Sequence, residues 1–153
     1  MVSIQRRLEM RKIKVKIKKL VKNIPLPFKS TPGAVGYDLA AAEDAIIKSH
    51  SFGVVRTGIA IELPSNIEAQ IRPRSGLAMH KGIGVLNSPG TIDPDYRGEL
   101  KIILFNCSDA DFEIKFGDRI AQIVFSRRLQ VEFQETKQLT KTLRNEKGFG
   151  HTG

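Results

Sequence analysis

From Lys12 to Lys18 the chain alternates without a break: lysine at every even position, Ile13, Val15 and Ile17 between. A period of two predicts a strand with one buried face. A lysine row suits a strand at a sheet edge, where it blocks pairing with other chains. Ile67, Ala69 and Ile71 alternate with polar partners in the same way. Val54–Ile61 and Phe112–Lys115 predict further strands, and Val131–Phe133 offers a last one. Leu100–Phe105 and Arg119–Phe125 are mostly apolar, as strands are when covered on both faces or at an interface. Turn signals separate these runs at Leu63-Pro64-Ser65-Asn66, Asp109-Ala110-Asp111 and Gly117-Asp118, while Pro25 and Pro27 make 24–28 a connector. In Gly84–Leu100, two short apolar runs flank Asn87-Ser88-Pro89-Gly90, which predicts a hairpin. Only the run after Arg72 breaks the period of two. There Ser75 is an N-cap for a short helix through Leu77–Met79. Some ten short elements without an internal repeat predict one all-β domain, a barrel or jelly roll, with at most one short helix after Ser75.

Composition narrows the function classes. The chain has 153 residues, enough for one domain with a real core. Its net charge of +9 suggests a polyanion partner. Most of that charge is local: residues 1–22 hold nine basic side chains against Glu9, leaving about +1 for the rest. The body is near neutral, so nucleic acid is not expected as a partner. Residues 1–11 form a basic extension, and Met10 offers an alternative start. Cys107 is the only cysteine, which excludes an internal disulfide and a Cys-x-x-Cys site and fits an intracellular, cytoplasmic location. No apolar run approaches a membrane span. His50, His80 and His151 are scattered, and no P-loop, His-Glu-x-x-His or Gly-x-Ser-x-Gly is present.

Several residues are candidates for chemistry, each with an ordinary alternative. Asp93 lies between Ile92 and Pro94, where a carboxylate can be buried. Tyr96 offers a flat ring, and Asn87 an amide that donates and accepts. Together with a turn's exposed backbone they suit a flat polar ligand, although most such loops only connect strands. Arg74-Ser75-Gly76 at a helix start is either an anion site or an ordinary capped turn. Asp38, between Tyr37 and Leu39, reads as a turn residue, and Gly36 leaves room for close packing. Gln122, amid Ile120, Ala121, Ile123 and Val124, is either a satisfied core amide or a group pointing into a site. The tail with Arg144, Phe149 and three glycines in its last six residues is either a frayed terminus or a lid.

Five stretches, in order, carry a family resemblance: AVGYDLAA (34–41), RPRSGLA (72–78), GVLNSPGTIDPDYRGEL (84–100), GDRIAQIVF (117–125) and RNEKGFGHTG (144–153). From about residue 12 onward the chain resembles the trimeric dUTPases, deoxyuridine triphosphate nucleotidohydrolases. The resemblance implies a jelly-roll-like β-barrel domain over 12–136, a mobile C-terminal arm over 137–153, and a homotrimer with shared active sites. It implies hydrolysis of dUTP, with Mg²⁺, to dUMP and pyrophosphate, which keeps uracil out of DNA. Asp93 matches the general base, which orients water toward the α-phosphorus. Asn87, with the backbone of Gly90, Thr91 and Ile92, matches the uracil-pairing group, and Tyr96 the ring against deoxyribose. Arg74, Ser75, Gly76 and Gln122 match phosphate-binding positions, and Lys101 lies where relatives line the site. Asp38 matches the first-motif carboxylate near the metal, acting through water or as a support. Arg144 and Phe149, with Gly150, His151 and Thr152 beside them, match the arm residues that grip the γ-phosphate and cover the base.

Two other readings use the same chain. A dCTP deaminase shares the fold, but the Arg-Ser-Gly and Asp-Tyr-Arg-Gly-Glu runs are of the hydrolase kind, and release of ammonia from dCTP separates the two. A nucleic-acid-binding module using the basic N-terminus predicts steeply salt-dependent binding that is lost without residues 1–11. The arm departs from the family pattern: Asn145 and Lys147 stand in place of glycines and His151 in place of a serine. A histidine hydrogen-bonds an anion more strongly when protonated, so closure of the arm is expected to depend on pH. The KM for dUTP should then vary between about pH 5.5 and 8; a flat profile counts against it.

Overall fold

The computed structural model describes residues 12–150. Among them lie eleven strands and one helix: β1 (Lys16–Lys19), β2 (Tyr37–Ala40), β3 (Ala45–Ile47), β4 (Ser51–Arg56), β5 (Ile59–Glu62), β6 (Ile67–Arg72), α1 (Ser75–Lys81), β7 (Ile83–Val85), β8 (Gly90–Ile92), β9 (Lys101–Asn106), β10 (Phe112–Ile114) and β11 (Arg119–Arg127). All pairings are antiparallel. They form a four-stranded sheet β2-β11-β6-β8, a three-stranded sheet β4-β9-β7, and the pairs β1-β5 and β10-β3. The expected all-β, jelly-roll-like fold with one short helix is therefore present, although the sheets do not close into one continuous barrel.

The core follows the alternation in β6, where Ile67, Ala69 and Ile71 are buried. In the mostly apolar β9 only one face is fully buried in the single chain, at Ile102, Leu104 and Asn106, while Ile103 and Phe105 are half-buried. The apolar ones of these positions meet Leu39, Val55, Ile120 and Ile123 in one cluster. Asn106 is the polar member. Its amide donates to the carbonyls of Ile47 and Ala110, and its oxygen accepts from the Ser108 N–H, so no polar atom is stranded.

Four local expectations change. Val54–Ile61 is not one strand, because Gly58 takes a positive φ of 66° and sends β4 and β5 into different sheets. The segment around Asn87–Gly90 is not a hairpin, because β7 pairs with β9 whereas β8 pairs with β6. Its turn, with a cis Ser88-Pro89 bond, passes the chain from one sheet to the other. Residues 131–133 form no strand, and Val131 and Phe133 are exposed. The lysine strand is exposed as expected, but its apolar face is not sealed. Ile13, Val15 and Ile17 line an apolar groove of about 750 Å³ with Leu26, Val35, Tyr37 and Phe125.

The join between the sheets at Gly58 is tightly built. Thr57, 1% exposed, donates its hydroxyl to the Leu100 carbonyl at 2.6 Å. The Glu99 carboxylate accepts from the Gly58 N–H at 2.9 Å and from the Arg56 Nε. A Cβ on Gly58 would meet Ala42 and Val21 at 2.8 and 2.9 Å. Gly58→Ala combines a strained left-handed backbone with a steric clash, and should cost about 2–4 kcal/mol. Urea unfolding of the variant measures it.

Candidate active site

The four-stranded sheet gathers the polar residues that the hydrophobic pattern could not place. Gln122 of β11 lies opposite both Asp38 of β2 and Arg72 of β6. Asp38 is a buried mid-strand residue, not a turn residue. A carboxylate in that position needs strong partners. It has three: Arg74 Nε donates to Oδ1 at 3.0 Å, while Arg119 Nη1 and the Ser30 hydroxyl donate to Oδ2, each at 3.0 Å.

Arg74 is held at a second point. Its Nη1 donates to the carbonyl of Arg119 at 3.2 Å. A guanidinium has five N–H donors, so these two bonds leave three, both on Nη2 and one on Nη1, for an oxyanion. Arg74, not Ser75, is the N-cap of α1, with an extended backbone and no side-chain cap bond. A long cationic side chain cannot cap as a serine does, and Ser75 therefore starts the helix with its side chain exposed. Gly76 is exposed too, with open space where a Cβ would stand. Gln122 Nε2 donates to the Pro73 carbonyl at 2.9 Å. A Cβ on Gly36 would overlap the Gln122 amide, so Gly36 does leave the space that close packing needs. Gln122 thus ties the segment before Arg74 to the sheet, with its second amide hydrogen free of this bond.

A second group surrounds β8. This strand is the outer member of its sheet. One side of its backbone pairs with β6, and the other presents N–H and C=O groups without a strand partner among the described residues. Asn87 reaches across the turn and packs over Gly90, where a Cβ would stand 3.2 Å from its Nδ2. Thr91 is exposed and Ile92 half-buried. Asp93 is exposed in the single chain rather than buried by Ile92 and Pro94, and its carbonyl accepts from the Tyr96 N–H at 3.1 Å. The Tyr96 hydroxyl donates to the Glu99 carbonyl at 3.1 Å, and the ring lies over Gly98. Lys101 opens β9 in the other sheet, opposite Arg56.

The arm stands apart. Arg144 Nε donates to the Lys147 carbonyl at 2.8 Å, and the Lys147 N–H returns to the Arg144 carbonyl. Thr142 and Asn145 bond each other reciprocally, N–H to side-chain oxygen in both directions. Asn145 has φ 51°, a conformation asparagine tolerates better than most residues, so it can occupy a glycine position. Phe149 and Gly150 are exposed. Among the described residues, no hydrogen bond links 142–150 to the body of the fold. His151 and Thr152 lie outside the described residues.

A sequence model of the dUTPase family matches residues 22–153. The chain belongs to the dUTPase family. It is 52% identical to the deoxyuridine 5'-triphosphate nucleotidohydrolase of Helicobacter hepaticus, over 94% of this chain and 91% of that protein. It is 54% identical to that of Hydrogenobaculum sp. strain Y04AAS1, over 92% and 99%. Among solved structures it is similar to the Staphylococcus bacteriophage 80alpha dUTPase with dUpNHpp. The TM-score is 0.84, with 24% identity over 92% of this chain and 98% of that one, a likeness of fold.

Arg119 and Ser30 complete the Asp38 cluster, yet neither stood out in the sequence. No group of three or more His, Cys, Asp or Glu side chains converges on a metal position among the described residues. Asp38, the one buried carboxylate of this site, already has two guanidinium donors and a hydroxyl. The described residues therefore offer no ready cage for Mg²⁺.

The space around Tyr96 permits a direct test. A Cβ on Gly98 would fall within the Tyr96 ring and hydroxyl. Gly98→Ala should displace the ring from Glu99 while changing stability by less than about 1 kcal/mol, because the ring is 45% exposed. The ring's NMR chemical shifts and a thermal melt read the two effects.

Proposed function

We propose that the chain hydrolyses dUTP to dUMP and pyrophosphate. The observation that carries this reading is that each chain presents both an anchored phosphate-type arginine, Arg74, just after β6, and an open backbone edge at β8. An edge strand offers fixed donors and acceptors in a row, the means by which uracil can be read and cytosine refused, since a mismatched base leaves polar groups unpaired. Asn87 adds an amide to that edge, and Tyr96, lying flat beyond it, would exclude a 2′-hydroxyl. Arg74, Ser75, Gly76 and Gln122 take the phosphates, and Lys101 adds positive charge at the margin. The names of the relatives at 52% and 54% identity support the same substrate.

Asp93 serves as general base. It accepts a proton from water as the water oxygen bonds to the α-phosphorus and the bond from that phosphorus to the β-bridging oxygen breaks, releasing pyrophosphate. An exposed carboxylate can accept that proton once a ligand and a neighbouring chain enclose it. Mg²⁺ would offset the charge of the triphosphate without needing a direct protein ligand, since a hard cation of this size keeps part of its hydration. Asp38 then acts as a support for the arginines rather than as a direct ligand.

The site is assembled in a homotrimer. An arm whose described residues 142–150 make no hydrogen bond to the body of the fold is suited to reach another copy, where Arg144 would bind the terminal phosphate and Phe149 would cover the base. Gly150, His151 and Thr152 complete that lid.

The test offers dUTP, dCTP, dTTP and UTP with Mg²⁺ and measures pyrophosphate. Strong preference for dUTP is expected, and similar turnover of all four would overturn the reading. Asp93→Asn should lower kcat by about two to four orders of magnitude while nucleotide binding persists. Near-normal turnover would remove Asp93 from the role of base.

A further inference from the structure

Arg119 is exposed and stands at the start of a strand, in a position that simple alternation assigns to the face away from Gln122. The pairing of β11 with β2 tells otherwise. Arg119 is opposite Ala40, Ala121 opposite Leu39 and Gln122 opposite Asp38, so Ile120 is an extra residue in the ladder. Residues 38 and 40 of β2 share a face, and the bulge therefore brings Arg119 and Gln122 to that face together. Bulges commonly re-aim a side chain in this way.

We propose that Arg119 is a positioning residue for phosphate binding, acting through Asp38 on Arg74. This rests on the reading of Arg74 as a phosphate ligand. Arg119 holds Arg74 by two routes. Its Nη1 donates to Asp38 Oδ2 at 3.0 Å, which leaves Oδ1 to receive Arg74 Nε. Its main-chain carbonyl accepts from Arg74 Nη1. Ser30 stiffens the assembly, donating to Asp38 Oδ2 and accepting from Arg119 Nη1 at 3.3 Å. The charge count matters as well. One carboxylate between two guanidiniums leaves a net positive charge, whereas a carboxylate facing Arg74 alone would neutralise it. Arg119 thus both aims the Arg74 fork and keeps it attractive to an anion.

Three ligands separate the possibilities: a non-hydrolysable dUTP analogue, inorganic triphosphate and deoxyuridine, bound to wild type, Arg119→Gln, Arg119→Lys, Arg74→Gln and the double variant. Arg119→Gln should weaken the dUTP analogue and inorganic triphosphate about tenfold or more, raise KM more than it lowers kcat, and leave deoxyuridine within about twofold. Arg119→Lys should recover part of the loss, since it restores the charge without the fork. Added to Arg74→Gln, Arg119→Gln should cause little further loss, because it acts through Arg74. The proposal is overturned by unchanged phosphate binding in Arg119→Gln, by an equal loss for deoxyuridine, or by additive losses in the double variant. Inorganic triphosphate keeps the result separate from the choice of base. If wild type ignores dUTP, the reading of the substrate fails while the arginine comparison still stands.

Discussion

The Asp38 carboxylate is the point on which the proposed phosphate-binding group depends. It is buried in a strand and would be strongly unfavourable there alone. Two guanidiniums and a hydroxyl make the position tolerable, and in doing so they join three parts of the chain. Ser30 belongs to the connector before β2, Arg74 to the link between β6 and α1, and Arg119 to the start of β11. A buried ion cluster of this kind gives little net stability against an apolar alternative. What it supplies is geometry: an arginine held at Nε and Nη1, with its remaining N–H groups available.

The proposed base-facing side rests on a different constraint, the limit of a sheet. Because β8 is the last strand of its sheet, half of its backbone polar groups have no strand partner among the described residues. Such an edge is normally a liability. Here the turn from β7, the Asn87 side chain and the Asp93–Tyr96 turn crowd around it. Tyr96 occupies the place a side chain at Gly98 would need, and Asn87 and Ile71 leave only tight room for one at Gly90. The two groups of candidate residues are therefore built by different means, charge pairing in one and an open edge in the other.

The arm is built of short local turns. Asn145 takes a positive φ and closes a turn with Thr142. Arg144 and Lys147 close the next one through their backbones and the Arg144 side chain. A turn already formed has less conformational entropy to lose when the arm meets a ligand.

Alternation of side chains is enough to mark strands. The buried face of β6, the exposed lysines of β1 and the single helix after Arg74 were all legible in the residues. Motif order was enough to mark the family, because short polar clusters at fixed places in an apolar framework seldom arise for packing alone. The partnership of strands was not legible. Gly58 and Asn87–Gly90 read locally as the middle of a strand and the tip of a hairpin, but each carries the chain between sheets. Arg119 was missed because one bulged residue reverses the side to which an arginine points. Asp38 read as a turn residue because nothing nearby in sequence could offset its charge, while Arg74 and Arg119 lie far along the chain. Sequence thus determined which residues are apolar, which are charged and which motifs occur in order. Tertiary structure alone decided which edges stay open and which distant charges meet, since both depend on pairing between strands that no local pattern encodes.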